Sequence, residues 1–151
     1  MSQVTPEGER RSESRLENVR YASPLTFMGR VRSFRHALMG LGFVLRSQHN
    51  AWLHAVATVL AIILGVVLRI SIDEWCVLTL SMVTVWVAEA FNTGLEVLAD
   101  ALVSERHPIV KIAKDVAAAA VLLSAIGALV VGAILFVPRL ITIFEQYAAG
   151  R

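Results

Sequence analysis

Four polar residues stand where a membrane helix would be apolar. Glu89, Asn92, Glu96 and Asp100 interrupt a long hydrophobic run within A-E-A-F-N-T-G-L-E-V-L-A-D. At about 100° per residue on a helix, Glu89, Glu96 and Asp100 fall within roughly 40° of one another, with Asn92 beside them. An ionised group near the centre of a membrane helix costs on the order of 2.5 to 3.5 kcal/mol even on a lenient insertion scale, so such a stripe needs a wet or paired surround. After a short polar turn, K-I-A-K-D-V-A-A-A-A adds Lys111, Lys114 and Asp115. A carboxylate at the depth of Glu89 suits removal of a proton from a hydroxyl that stays in the bilayer. Glu96, nearer the surface, suits Mg²⁺, which is usually held by one or two carboxylates together with nucleotide phosphates. Lys114 can neutralise those phosphates, and Asp115 can orient Lys114 or bind the metal. These are the requirements of phosphoryl transfer, which rests on positioning and charge stabilisation. Glu89 alone suits a buried structural pair as well as it suits catalysis; the spacing of the five groups Glu89, Asn92, Glu96, Lys114 and Asp115 is what favours chemistry. The chain carries no G-x-x-x-x-G-K-[ST] loop and no H-R-D or D-F-G set, so a nucleotide-dependent transferase here is of another lineage.

The elements that position these groups are read from hydropathy. The chain has 151 residues, 56% of them hydrophobic, and a mean hydropathy of +0.65, which excludes an ordinary soluble domain and suits one small all-α integral membrane unit. Residues 1–27, rich in Ser, Glu and Arg, are predicted to form a disordered cytosolic tail. No apolar h-region occurs there, so no cleavable signal is expected. From Gly29 to Arg46, Val31, Phe34, Leu38, Leu41 and Leu45 recur at helical steps beside Arg30, Arg32, Arg35 and His36, which predicts an amphipathic surface helix over 29–46. Three membrane spans are predicted, at about 51–69, 75–98 and 112–137, within a domain covering 28–138. Asp73 is a candidate cap for the second span, Trp75 its interfacial aromatic, and Pro138 the end of the third, leaving 139–151 as an external tail. His54, near the start of the first span, suits a ligand, a substrate contact or a helix interface residue. Cys76 is the only cysteine, so no disulfide forms within one chain.

Eleven of the 14 basic residues lie before Asn50 or between the second and third spans, against Arg69, Arg139 and Arg151 on the other side. That asymmetry predicts a cytosolic N-terminus and an external C-terminus in a bacterial cytoplasmic membrane, and it marks a membrane surface rather than nucleic acid as the partner. A non-catalytic or proton- or ion-translocating membrane subunit is the alternative class of function. A pathway needs polar groups across the whole bilayer, whereas the charges here gather at one face.

The run E-A-F-N-T-G-L-E-V-L-A-D, the run H-P-I-V-K-I-A-K-D-V-A-A-A-A-V and S-F-R-H-A-L-M-G-L at Ser33 to Leu41 resemble the signature of the prokaryotic diacylglycerol kinase family, which includes undecaprenol kinases. The resemblance extends without gaps from about Gly29 to Val137. It implies a homotrimer of three-span subunits with a surface helix, transferring the γ-phosphate of ATP to a lipid alcohol at the cytosolic face. By position, Glu89 resembles the catalytic base, Glu96 a Mg²⁺ ligand, and Lys114 and Asp115 the nucleotide-binding pair. The resemblance places His36, Gln48, Glu105, Arg106 and His107 among the ATP contacts, and Asn50, Trp52, His54, Trp75, Glu89 and Asn92 near the lipid substrate. Gln48 stands where familiar members carry a second metal-binding glutamate; its amide oxygen can still ligate Mg²⁺, with Asp100 the candidate to restore the missing charge. The wording S-F-R-x-A and H-P-x-x-K-I-A-K-D leans toward undecaprenol as the acceptor, with diacylglycerol as the runner-up.

Overall fold

The computed structural model describes residues 27–103 and 107–150, which form four α-helices among the described residues. The predicted tail before residue 27 lies outside them, as do Glu105 and Arg106. The helices are α1 (Phe27–Ser47), α2 (His49–Val67), α3 (Ile72–Leu102) and α4 (Pro108–Ala149). The chain divides into two units, Met1–Gly40 and Leu41–Arg151. In the first, the helical residues from Phe27 expose apolar Val31, Phe34 and Leu38 together with Arg30, Arg32, Arg35 and His36, and Ser33 Oγ donates to the Gly29 carbonyl at 3.0 Å.

In the second unit, α2, α3 and α4 each have the length and composition to cross a membrane, so the protein is a multi-pass membrane protein. At about 1.5 Å per residue, α3 is roughly 46 Å long and α4 roughly 63 Å, both beyond a hydrocarbon core of about 30 Å. The most extensive packing joins α3 to α4; α2 touches both more lightly. Much of the apolar surface faces outward: Phe91, Leu123 and Leu129 are exposed, whereas the fullest burial among the described residues belongs to Ala51 at 0% exposure and to Glu89, Thr93 and Leu78 at 2% each. Lipid tails solvate apolar side chains, so a membrane helix has no need to bury them, but a carboxylate and a hydroxyl do need shelter.

The turn between α2 and α3 is closed by backbone geometry. Leu68 N–H donates to Leu64 O, Arg69 N–H to Val66 O and Ile70 N–H to Gly65 O, while Arg69 takes a left-handed φ of 48°. This is a Schellman ending with arginine where glycine is the commoner residue. Close by, Gly65 lies under the Trp75 ring: a Cβ there would come within 2.8 Å of the ring carbons. We therefore expect Gly65→Ala to destabilise the protein by about 1 to 3 kcal/mol through overpacking, seen as a lower unfolding midpoint in detergent. An unchanged midpoint would show that Trp75 moves aside freely.

Two helix ends differ from the sequence reading. The start of α3 is set by Ser71, not Asp73: Ser71 Oγ accepts from Glu74 N–H at 3.3 Å and Glu74 Oε2 accepts from Ser71 N–H at 2.7 Å, a reciprocal capping box that draws Ile72, Asp73 and Glu74 into the helix. Pro138 does not end α4, which continues to Ala149, so 139–149 is helical. Proline cannot donate to the carbonyl four residues back, yet the backbone on either side stays partnered by side chains. Arg139 Nη1 donates to Leu135 O at 2.8 Å, Thr142 Oγ1 donates to Pro138 O at 3.0 Å, and Arg139 Nη2 reaches both Glu74 carboxylate oxygens at 2.9 and 2.8 Å. The Arg139 fork thus ties α4 to the capping box of α3, beside a cluster of Ile70, Leu78, Leu135 and Phe136 with Trp75 packed against it.

Candidate active site

The polar groups of the second unit gather toward the other end of α3. The extended residue Gln48, with φ −112° and ψ 120°, joins α1 to α2 and is held by its own N–H donating to Val44 O at 3.2 Å. From that junction its amide Nε2 donates to Glu96 Oε2 at 2.6 Å, while Asn92 Nδ2, one helical turn before Glu96, donates to Glu96 Oε1 at 3.2 Å. Each Glu96 oxygen thus accepts from a neutral amide rather than from a cation. Asn92 is 7% exposed, and its Oδ1 is buried with no hydrogen-bond partner. A carbonyl-type oxygen left unpartnered in a buried place is costly unless a ligand completes it.

Two turns earlier along α3, about 10 Å at 1.5 Å per residue, lies Glu89. Its Oε2 stands 3.9 Å from His54 Nε2 of α2, with the Glu89 side chain 2% and the His54 side chain 17% exposed. Thr93 Oγ1 donates back to Glu89 O at 2.9 Å. The polar stripe therefore runs from the buried Glu89, through the half-buried Glu96, to the exposed Asp100 at the end of α3. Pro108 opens α4 at its first turn, and His107 caps it without a side-chain bond. Lys114 Nζ crosses from α4 to Asp100 Oδ1 at 2.7 Å.

Not every expected neighbour meets. Asp115 pairs with Lys111 at 2.6 Å, one turn away on an exposed face, and does not orient Lys114. Asp100, one turn beyond Glu96 on α3, is engaged by Lys114. Trp75 packs against the apolar cluster, fourteen residues before Glu89 on α3 and about 21 Å from it along the axis. Trp52 is 61% exposed and Asn50 is also exposed, both in the first turn of α2. His36 is an exposed residue of α1 in the first unit. The His54 to Glu89 juxtaposition was one of three roles open to His54; its partner is visible only once α2 and α3 pack.

Among the described residues, no three His, Cys, Asp or Glu side chains converge, so the chain by itself offers no complete cation cage. What it offers is one carboxylate, Glu96, to which the amide nitrogens of Asn92 and Gln48 donate, with Asn92 Oδ1 buried and unpartnered. A single carboxylate suits a hard divalent ion whose remaining ligands come from phosphate and water, and each amide would have to turn its oxygen toward the ion to join them.

Comparison with known proteins bears on this arrangement. Residues 35–136 match the family described as "Prokaryotic diacylglycerol kinase". The chain is 34% identical over 109 residues to "Undecaprenol kinase" of Bacillus subtilis (strain 168), covering 72% of this chain and 89% of that protein. It is 38% identical over 112 residues to "Diacylglycerol kinase" of Synechocystis sp. (strain ATCC 27184 / PCC 6803 / Kazusa), covering 74% of this chain and 64% of that protein. No solved structure gives a significant match. The family match spans α2, α3 and most of α4, with every polar group of the stripe inside it, and the chain belongs to the prokaryotic diacylglycerol kinase family of membrane lipid kinases.

Proposed function

We propose that the protein transfers the γ-phosphate of ATP to the hydroxyl of a membrane lipid alcohol, undecaprenol in preference to diacylglycerol, with Glu89 as general base. The observation that carries this is the placement of Glu89: the most deeply sheltered carboxylate among the described residues lies on α3, about 10 Å along the axis from Glu96. An acceptor hydroxyl anchored in lipid meets Glu89 from the apolar side, while a soluble nucleotide meets Glu96, Lys114 and Asp100 from the aqueous side. In the transfer, the hydroxyl proton passes to Glu89, the hydroxyl oxygen bonds to the γ-phosphorus, and the bond from that phosphorus to the β,γ-bridging oxygen breaks to release ADP.

Glu96 would hold Mg²⁺ together with the nucleotide phosphates, and Asn92 and Gln48 could join through their amide oxygens once turned from Glu96. When bound, the ion neutralises charge that develops on the transferring group. Lys114 exchanges Asp100 for a phosphate oxygen, a small cost for a half-exposed pair. His107 and Asp115 complete the nucleotide contacts, and Asn50 and Trp52 border the lipid. The preference for undecaprenol draws on the S-F-R-x-A and H-P-x-x-K-I-A-K-D wording and on the 89% coverage of the Bacillus subtilis protein.

In this reading α1 lies as an amphipathic helix on the cytosolic surface, its arginines toward lipid phosphates. The N-terminus is cytosolic and the C-terminus external, in keeping with the eleven-to-three division of basic residues. Three copies associate through the apolar faces of α2 to α4, forming the homotrimer.

The test is transfer of labelled γ-phosphate from ATP in purified protein reconstituted into lipid with Mg²⁺, offered undecaprenol and diacylglycerol separately. Faster labelling of undecaprenol supports the whole reading. Faster labelling of diacylglycerol reverses the acceptor preference, and labelling of neither removes both acceptors.

A further inference from the structure

We infer that His54 is a positioning residue for the reaction, holding one oxygen of Glu89 so that the other faces the acceptor hydroxyl. This rests on the proposed role of Glu89 as base. The pair is built by helix packing. On α2, His54 and Thr58 lie one turn apart on one face; on α3, Glu89 and Trp86 lie three residues apart on the facing side. Trp86 Nε1 donates to Thr58 Oγ1 at 3.1 Å, which sets the register of the two antiparallel helices. That register brings His54 Nε2 to 3.9 Å from Glu89 Oε2. Among the described residues, His54 is the one side chain able to carry positive charge within 4 Å of Glu89. With its side chain only 17% exposed, His54 turns toward the protein rather than toward lipid.

The chemistry follows from what a buried carboxylate base needs. A glutamate on a flexible stem reaches a hydroxyl with either oxygen and in many orientations, and lost alignment of reacting atoms is a large part of a barrier. A neutral imidazole carrying its proton on Nε2 donates toward Oε2 and leaves Oε1 as the proton acceptor. A separation of 3.9 Å is longer than a hydrogen bond, and such contacts shorten when substrate closes the site. In the step itself the lipid O–H bond breaks, its proton goes to Glu89 Oε1, the O–P bond forms, and the electron pair of the breaking P–O bond leaves on ADP. His54 neither gains nor loses a proton.

The test uses full-length protein reconstituted in vesicles with ATP and undecaprenol, or diacylglycerol where that is the lipid labelled. His54→Phe keeps the ring volume and removes the donor; His54→Gln keeps an N–H near the position of Nε2. The expected result is a kcat lowered about ten- to a hundred-fold in His54→Phe, with KM for ATP and lipid changed by less than about threefold, and most of the rate recovered in His54→Gln. The double variant His54→Phe/Glu89→Gln should be no slower than Glu89→Gln alone, because the imidazole acts only through that carboxylate. A raised lipid KM with kcat retained would make His54 a lipid contact and overturn the inference, as would a His54→Gln rate as low as that of His54→Phe. Should His54→Phe not fold, His54→Asn, whose shorter side chain withdraws the donor, takes its place with the same expectations. A Glu89→Gln variant that keeps its rate removes the base itself, whereas loss in Glu89→Gln with full activity in His54→Phe removes only the role given to His54.

Discussion

With Glu89 as the proposed base, Glu89→Gln should lower kcat for phosphate transfer by about 10² to 10⁴, the range that general base catalysis contributes. Glutamine fills the same space and keeps an oxygen, so ATP still binds and its KM stays within about threefold. The variant loses only the ability to accept a proton. Its stability moves the other way or not at all: a carboxylate 2% exposed in a membrane helix carries a desolvation cost that a neutral amide does not. An unfolding midpoint equal to or above that of the parent protein, together with lost transfer, is therefore the expected pair of readings. Lost transfer accompanied by a much lower midpoint would instead mark Glu89 as a structural partner of His54, and retained transfer would end its assignment as base.

Glu96→Gln has the second-largest expected effect. Glu96 is the one carboxylate in a cluster otherwise made of amides, with Gln48 at 2.6 Å and Asn92 at 3.2 Å, so no neighbouring acid within that cluster takes over its charge. The Mg²⁺ concentration for half-maximal rate should rise by about ten- to a hundred-fold or more, with lost rate partly restored at high Mg²⁺. Asp100→Asn sharpens the reading. Asp100 pairs with Lys114, so its removal should alter KM for ATP and leave the Mg²⁺ requirement near that of the parent protein. If Asp100→Asn shifts the Mg²⁺ requirement as strongly as Glu96→Gln, the two acids act as one metal site and the amide cluster is secondary.

Much of this arrangement can be read from sequence because a bilayer punishes misplaced charge. Glu89, Asn92 and Glu96 announce themselves by type and by a helical period, and the three spans announce themselves by length. What depends on a partner two helices away is harder to read. Nothing in the spacing of His54 and Glu89, or of Lys114 and Asp100, says that they meet; packing of α2 and α4 against α3 decides it. Other features were written locally and outweighed. The S-x-x-E pattern at Ser71 to Glu74 is the capping-box signature, yet Asp73 drew the cap and Trp75 the start of the span. The i,i+4 spacing of Lys111 and Asp115 likewise gave their pairing, against the adjacency of Asp115 to Lys114. Pro138 misled for a different reason: proline removes one backbone donor, and α4 tolerates that loss and continues to Ala149.

The fork of Arg139 onto Glu74, with Trp75 laid over Gly65, lies about 21 Å along α3 from Glu89. Groups so far apart, with no shared partner, contribute almost independently. One region of this short chain can therefore drift under selection for thermal endurance while the other is held for turnover. An engineer may harden the fastening at the Arg139 end without retuning the chemistry, a freedom that enzymes with their active centre inside the core seldom have.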